Sequence, residues 1–122
     1  MKTRKEMKEE YRQRKYRMGV FRITNLANGK IFIGSSIDLI AIWHAQKLQL
    51  NAGIHPNEQL QSDWKQFGPE NFKYDILEEI TQEDEPAGGF EREIKAMEDL
   101  VNEELQPYNE KGYNRRHHRE KL

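Results

Sequence analysis

The sequence predicts a small α/β fold of the α+β type, in which a three-stranded antiparallel sheet is flanked by helices. Asn28-Gly29 lies between two runs of strand-forming residues, which is the pattern of a β-hairpin. Two stretches with apolar residues at helical spacing follow, and a third strand then precedes a long amphipathic helix. A chain of 122 residues has the size of one domain with one hydrophobic core.

The hairpin begins at Gly19. Val20, Phe21, Ile23 and Thr24 favour a strand, Ala27-Asn28-Gly29 favours a turn, and residues 30–33 favour a second strand. We expect a primed turn, because this turn type needs positive φ and Asn and Gly tolerate it.

Two amphipathic helices should follow the hairpin. Ser35, Ser36 and Asp38 are good amino-terminal caps for a helix over about 38–51, and Gly53 follows its end. Pro56 is expected to open a second helix, which Gly68 ends.

The remaining elements are a strand and a helix. Residues 72–80 predict a third strand, with Tyr74 and Ile76 on one face and Lys73 and Asp75 on the other. TQEDEPAGG is a loop, and the apolar spacing over 90–105 predicts a long helix that ends before Pro107. Residues 3–16 also favour a helix, although their apolar spacing is weak.

The net charge of −1 hides basic ends and an acidic body. Residues 1–17 hold eight Lys or Arg against three Glu, and residues 110–122 hold five basic residues against two acidic ones. The segment between them holds seven basic and sixteen acidic residues. Basic ends attract phosphate, whereas an acidic body repels a polyanion. A solvated charged tail is the alternative interpretation of each end.

The absence of cysteine excludes disulfides, thiolate zinc sites and a cysteine nucleophile. The first residues have no apolar signal segment, and no run approaches the roughly 18 apolar residues of a membrane span. We therefore expect a cytoplasmic protein without membrane contact.

The order of elements and several short motifs resemble the GIY-YIG nuclease domain. The motifs are Gly19-Val20-Phe21, Phe32-Ile33-Gly34, NGK in the hairpin turn, GSS after the second triplet, LQSDWKQFGPENFKYDILEEI, EREI and GYN at 112–114. The resemblance covers about residues 18–114, which predicts a charged helical extension over 1–17 and a basic disordered tail over 115–122.

The family's chemistry, as the resemblance implies it, is metal-assisted hydrolysis of a phosphodiester. A tyrosine in the first triplet helps to activate water, and a tyrosine in the second triplet supports it. An arginine eight residues after the second triplet's glycine stabilises charge on the phosphate, and a glutamate at the start of the last helix binds one divalent metal.

Three of these four positions depart from the family's pattern. The tyrosine positions are Phe21 and Phe32, which keep the rings without their hydroxyls, and the arginine position is Ile42. Glu93 alone matches, as the expected catalytic carboxylate and as a ligand for Mg²⁺ or Mn²⁺ if metal binding or activity remains. A carboxylate in the first turn of a helix also has a plain alternative, which is stabilisation by the helix dipole.

Further residues are candidates for contacts around this site. We expect Ser35, His55 and Asn114 to line it, with a plain loop role as the alternative for His55. The expected nucleic-acid contacts are basic residues near the two ends: Arg12, Arg14, Lys15, Arg17, Arg115, Arg116 and Arg119. Trp43 and Trp64 have core spacing, so we interpret them as packing residues and not as base-stacking platforms.

The leading hypothesis is a GIY-YIG-like domain that has lost catalytic competence and binds nucleic acid, DNA rather than RNA, or another partner. One alternative is an active divalent-metal-dependent DNA endonuclease. Another is a protein-interaction or dimerisation module. The sequence leaves the oligomeric state and the question of enzymatic activity open between these hypotheses.

Overall fold

The computed structural model describes residues 3–4, 17–80 and 89–116. Its elements are β1 (Met18–Asn25), β2 (Ile31–Ser36), α1 (Leu39–Ala52), α2 (Glu58–Phe67), a 3₁₀ turn (Pro69–Asn71), β3 (Phe72–Ile80) and α3 (Phe90–Leu105). This is an α+β fold built on a three-stranded sheet, as predicted. Most of the predicted helix over 3–16, most of the loop after β3, and Arg12, Arg14, Lys15 and Arg119 lie outside the described residues.

The sheet has the order β2-β1-β3, and both strand pairs are antiparallel. Phe21 lies opposite Gly34 on one side and Ile76 on the other, so the first and second triplets are neighbours in the sheet. Because alternate residues of a strand point to opposite faces, Phe21 and Ile23 face one way and Val20 and Arg22 the other.

The hairpin is confirmed, but the predicted turn type is wrong. Gly29 has a φ of 78°, whereas Asn28 is not among the described non-glycine residues with positive φ. A primed two-residue turn needs positive φ at both central positions. The loop is longer instead, and it closes where the Gly29 N–H donates to the Asn25 carbonyl at 2.7 Å.

Two apolar layers enclose the sheet. The larger layer contains Phe21, Ile23, Phe72 and residues of α1 and α2 such as Leu50 and Trp64. The smaller layer packs Val20 and Ile33 against Val101 of α3. The helices therefore cover both faces, with α1 and α2 on the Phe21 face and α3 on the Val20 face.

The helix ends follow their capping residues. Asp38 caps α1 through its side chain, which accepts from the Ala41 N–H, as predicted. Helix α2 begins after Asn57, not at Pro56, because the Asn57 side chain accepts from the Leu60 N–H. Within the described ranges, no helix has the length and apolar character needed to cross a bilayer.

The carboxyl-terminal segment closes the free edge of β2. The Tyr113 N–H donates to the Ile31 carbonyl at 2.8 Å. The Asn114 side chain accepts from the Ile33 N–H at 2.9 Å and donates to the Ile33 carbonyl at 2.8 Å. The GYN motif therefore holds the strand that carries Phe32.

Candidate functional site

The two phenylalanines of the triplets share one aromatic cluster on the α1 and α2 face of the sheet. Phe21 is buried, with 2% of its surface exposed, and its ring centroid lies 6.3 Å from that of Phe32. Phe21 also lies 5.5 Å from Tyr74 on β3. Ile42 is half-buried and packs against the same core. The structure therefore brings together all three positions at which the sequence departs from the family's pattern.

His55 joins this cluster from the segment between α1 and α2. Its ring meets Phe32 edge-on at 5.8 Å, and only 6% of the residue is exposed. The Nε2–H donates to Gln46 Oε1, and Nδ1 accepts from the Asn57 N–H at 3.0 Å. Both ring nitrogens are therefore engaged in the neutral imidazole. Nothing in the spacing of the sequence indicated the hydrogen bond between Gln46 and His55.

Burial lowers the pKa of His55 below its ordinary value. The unfolded chain therefore binds the proton more readily than the folded one. We expect the contribution of His55 to the free energy of unfolding to be complete above the pKa of about 6.5 in the unfolded chain. This contribution should be lost as the pH falls below that value. Denaturant unfolding between pH 7.5 and 5 measures this slope, which His55→Gln should reduce. His44→Gln is the matched control, because the His44 side chain is exposed.

Tyr74 connects the cluster to the beginning of α1. Its hydroxyl donates to the Leu39 carbonyl at 2.5 Å, and its ring stacks on Trp43 at 4.8 Å with an interplanar angle of 10°. Trp43 also meets Trp64 edge-on at 6.5 Å. These contacts agree with the interpretation of both tryptophans as packing residues.

A second polar network lies beneath the hairpin turn, centred on Tyr113. The Tyr113 hydroxyl donates to Asp63 Oδ2 at 2.7 Å and accepts from Asn25 Nδ2 at 3.0 Å. Asn25 is fully buried. Burial raises the pKa of Tyr113 to about 12, so the hydroxyl remains a donor at neutral pH. The GYN motif was a sequence signal for this region, but its polar partners were not predicted.

We expect Tyr113→Phe to lower the free energy of unfolding by about 1–3 kcal/mol, because it leaves the buried Asn25 amide without this partner. Urea unfolding measures the effect. Tyr108→Phe is the control, since within the described residues the Tyr108 hydroxyl makes no hydrogen bond. An equal loss of unfolding free energy in Tyr113→Phe and Tyr108→Phe would mean that the hydrogen bonds of Tyr113 do not contribute to stability.

Glu93 lies in the first turn of α3 with Glu91, and both side chains are exposed. Glu93 forms no hydrogen bond or ion pair through its side chain within the described residues. Helix α3 packs on the Val20 face of the sheet, whereas the aromatic cluster lies on the Phe21 face. Ser35 lies at the α3 side, where it lines an open cavity of about 210 Å³ together with Glu91 and Lys95.

The residues present do not form a complete metal site. Across residues 3–4, 17–80 and 89–116, no group of three His, Asp or Glu side chains is arranged to hold a metal. Mg²⁺ prefers six oxygen ligands, and a single carboxylate leaves most of them to water or phosphate. Glu93 could therefore be only one of several ligands of a metal ion, and another molecule would have to supply the others.

The described basic candidates lie at three exposed positions. Arg115 and Arg116 line an open cavity of about 560 Å³, to which Asn57, Asn114 and the carboxylate of Glu58 also contribute. The Arg116 guanidinium lies 4.6 Å from the Tyr108 ring centroid. Arg17 forms an ion pair with Glu79, which raises the pKa of Arg17 and lowers the pKa of Glu79. Arg17 is therefore partly neutralised, whereas no carboxylate within the described residues forms an ion pair with Arg115 or Arg116.

Comparison with known proteins places this arrangement in a family. No family model and no curated protein matches the chain. Two solved structures do match, and both describe the catalytic domain of the intron-encoded homing endonuclease I-TevI. A glutamate-to-alanine variant of that domain is 28% identical, with a TM-score of 0.67, and the match covers 80% of this chain and 92% of the other.

The second structure, the catalytic domain of homing endonuclease I-TevI, has a TM-score of 0.65, and the match covers 80% of this chain and 96% of the other. The two sequences are 30% identical. Such identity over nearly the whole of a GIY-YIG nuclease domain, together with the shared fold, means that this chain belongs to the GIY-YIG nuclease family.

Proposed function

We propose that this chain is a GIY-YIG nuclease-like domain whose catalysis is impaired and that it binds nucleic acid, DNA in preference to RNA. One observation carries the proposal. Phe21, Phe32 and Ile42, which occupy the positions of two tyrosines and an arginine in the family's pattern, lie together in apolar packing.

The chemistry of these side chains supports impaired catalysis. None of the three can move a proton or stabilise charge on a phosphate. The loss of a single electrostatic partner of the transition state costs a rate on the order of a hundredfold or more. His55 is a titratable neighbour in this cluster, and both of its nitrogens are already engaged. Accepting a proton at Nδ1 would break its bond to the Asn57 N–H, so His55 is a poor replacement base.

Binding has support from the family and from the described basic residues. GIY-YIG homologues act on DNA, and the similar structures are those of a homing endonuclease. Arg115 and Arg116 present exposed guanidinium groups beside an open cavity. Such groups bind the sugar-phosphate backbone without reading the bases, so we expect little sequence preference. Cytoplasmic location and the division into a 1–17 extension, an 18–114 domain and a 115–122 tail belong to the same proposal.

A binding assay tests the proposed affinity. Fluorescence anisotropy with a labelled DNA duplex and a matched RNA duplex should give tighter binding to DNA, with affinity falling steeply between 50 and 200 mM salt. Arg115→Gln with Arg116→Gln should weaken binding and flatten the salt slope. Lys65→Gln with Lys73→Gln removes the same charge elsewhere and is the control. Absence of binding to either duplex at low salt would contradict the proposal.

A cleavage assay tests the proposed impairment. Supercoiled plasmid incubated with the purified chain and Mg²⁺ or Mn²⁺ should remain uncut beyond background. Metal-dependent nicking that Glu93→Ala abolishes would instead establish the alternative, an active endonuclease. Nicking that survives Glu93→Ala would indicate a contaminating nuclease. The check is repeated purification, because a contaminant's specific activity would change from one preparation to the next.

A further inference from the structure

An open cavity of about 530 Å³ lies between α3 and the carboxyl-terminal segment that follows it. On the helix side it is lined by residues three or four positions apart, which share one face of α3. They are Lys95, Asp99, Asn102 and Glu103. The carboxyl-terminal segment contributes Tyr108 and Arg116. The volume lies in the range of small-molecule sites, so one planar ligand would fit.

Asn102 has the feature that indicates a ligand. Only 7% of the residue is exposed, and within the described residues its Oδ1 has no hydrogen-bond partner. Buried side-chain oxygens nearly always accept a hydrogen bond, because an unpaired one loses its bonds to water without replacement. Asn102 lies in the wall of the cavity. A ligand with an N–H group would therefore satisfy an acceptor that the described part of the chain leaves unpaired.

The charges around the cavity favour an uncharged ligand. The Lys95 amine lies 3.4 Å from Asp99 Oδ1, so these two charges balance each other. The Glu103 carboxylate forms no ion pair within residues 3–4, 17–80 and 89–116, and it would repel a phosphate. Lys95 and Arg116 would in turn repel a metal ion. The ligand class that remains is neutral and carries hydrogen-bond donors.

Tyr108 and Arg116 add two flat groups to the cavity. The Arg116 guanidinium lies 4.6 Å from the centre of the Tyr108 ring, and its Nη2 donates to Gln106 Oε1 at 3.2 Å. Unpaired bases stack on aromatic rings and on guanidinium planes. Tyr108 and Arg116 also line the neighbouring cavity that contains Arg115, where backbone binding is proposed. A base in the first cavity would therefore belong to a strand whose backbone passes the second.

We propose that this cavity binds one unpaired base that carries an exocyclic amino group, such as adenine. Asn102 Oδ1 accepts from the amino group, which is the pairing that asparagine makes with adenine, and the base stacks on Tyr108 or Arg116. This site rests on the nucleic-acid binding proposed above and adds a preference to it. Paired DNA is bound through its backbone, and an extrahelical base adds a further contact. An unpaired base enters most readily, because it has the least pairing and stacking to lose.

Fluorescence anisotropy of the full chain with three labelled DNA duplexes tests the site. One duplex is fully paired, one has a single extra adenine, and one has in its place purine, which is the adenine ring system without the amino group. The adenine duplex should bind about tenfold tighter than the paired duplex. It should bind about threefold or more tighter than the purine duplex. Equal affinity for all three would overturn the base site and leave the proposed function standing, whereas no binding to any duplex would overturn both.

Asn102→Leu tests the acceptor with little change in the size of the side chain. The adenine duplex should lose its advantage over the purine duplex in this variant. Gln66→Leu removes an exposed amide from α2 and is the matched control, which should keep the advantage. Urea unfolding of Asn102→Leu should show no loss of stability, because Oδ1 has no partner among the described residues to lose. An advantage that survives Asn102→Leu, or a large loss of stability in this variant, would overturn the role of Asn102.

Discussion

The combined variant Phe21→Tyr, Phe32→Tyr and Ile42→Arg is expected to cleave plasmid DNA with Mg²⁺ at least on the order of a hundredfold faster than the unmodified chain. The two added hydroxyls would supply the proton chemistry that the rings lack, and the guanidinium would stabilise charge on the phosphate. A gain of this size would show that the unmodified chain lacks catalytic side-chain groups and still has the fold that positions them, because the variant changes side chains only.

The structure indicates that the variant folds. The sheet residue opposite Phe21 is Gly34, so no side chain of that residue meets the ring edge that would carry the hydroxyl. Ile42 is half-buried, so an arginine there can lay its aliphatic stem along the core and extend its charged end to water. An unpaired charge at a fully buried position would instead cost on the order of several kcal/mol.

The control for this experiment is the same triple variant with Glu93→Ala, which should return to background cleavage. Thermal unfolding of both variants checks that they are folded. A folded triple variant that binds DNA and cuts no faster than the unmodified chain would contradict the assignment of positions 21, 32 and 42 to the family's catalytic residues.

Gly34→Ala is expected to lower the free energy of unfolding by about 2–3 kcal/mol, which is a large effect for a single methyl group. A β-carbon at position 34 would lie 2.7 Å from Phe21 Cε2 and closer still to Cζ. Phe21 is 2% exposed and packs against Phe32 and Tyr74, so its ring has little room to shift. Urea unfolding measures the loss.

A double-mutant cycle isolates the cause. Phe21→Leu shortens the side chain that meets the added methyl group, so Gly34→Ala should cost less in that background, with a coupling of about 1 kcal/mol or more. Additive effects would mean that the clash with Phe21 is not the reason for the loss. The stability lost on Gly34→Ala would then need another explanation.

Much of the fold could be predicted because its determinants are local. Alternation along residues 72–80 predicted β3 with its observed bounds, and the apolar spacing over 90–105 predicted α3. Asp38 beside a helical pattern predicted a cap that the structure confirms. The two errors, the primed turn and the start of α2 at Pro56, are also local. Several turn and cap geometries are compatible with the same residues, and packing selects among them.

The candidate site was predictable only in part. Phe21, Phe32 and Ile42 were identified through motif order, and the register of β1 with β2 confirms that Phe21 and Gly34 are neighbours. The contact of His55 with Phe32 and the bond from His55 to Gln46 join three separate elements, so no spacing in the chain predicts them. The Tyr113 network likewise joins residues up to 88 positions apart.

The sequence by itself determined the strands, the helices, the family resemblance and the loss of two hydroxyls and a guanidinium, because these depend on residue type and on spacing of a few positions. Only the tertiary structure decided that Ile42 is half-buried and that Glu93 belongs to the helix that packs on the Val20 face of the sheet. The burial of a side chain, and the face of the sheet on which an element lies, depend on which distant elements pack together. That choice reflects the free energy of the whole core and not of any one segment.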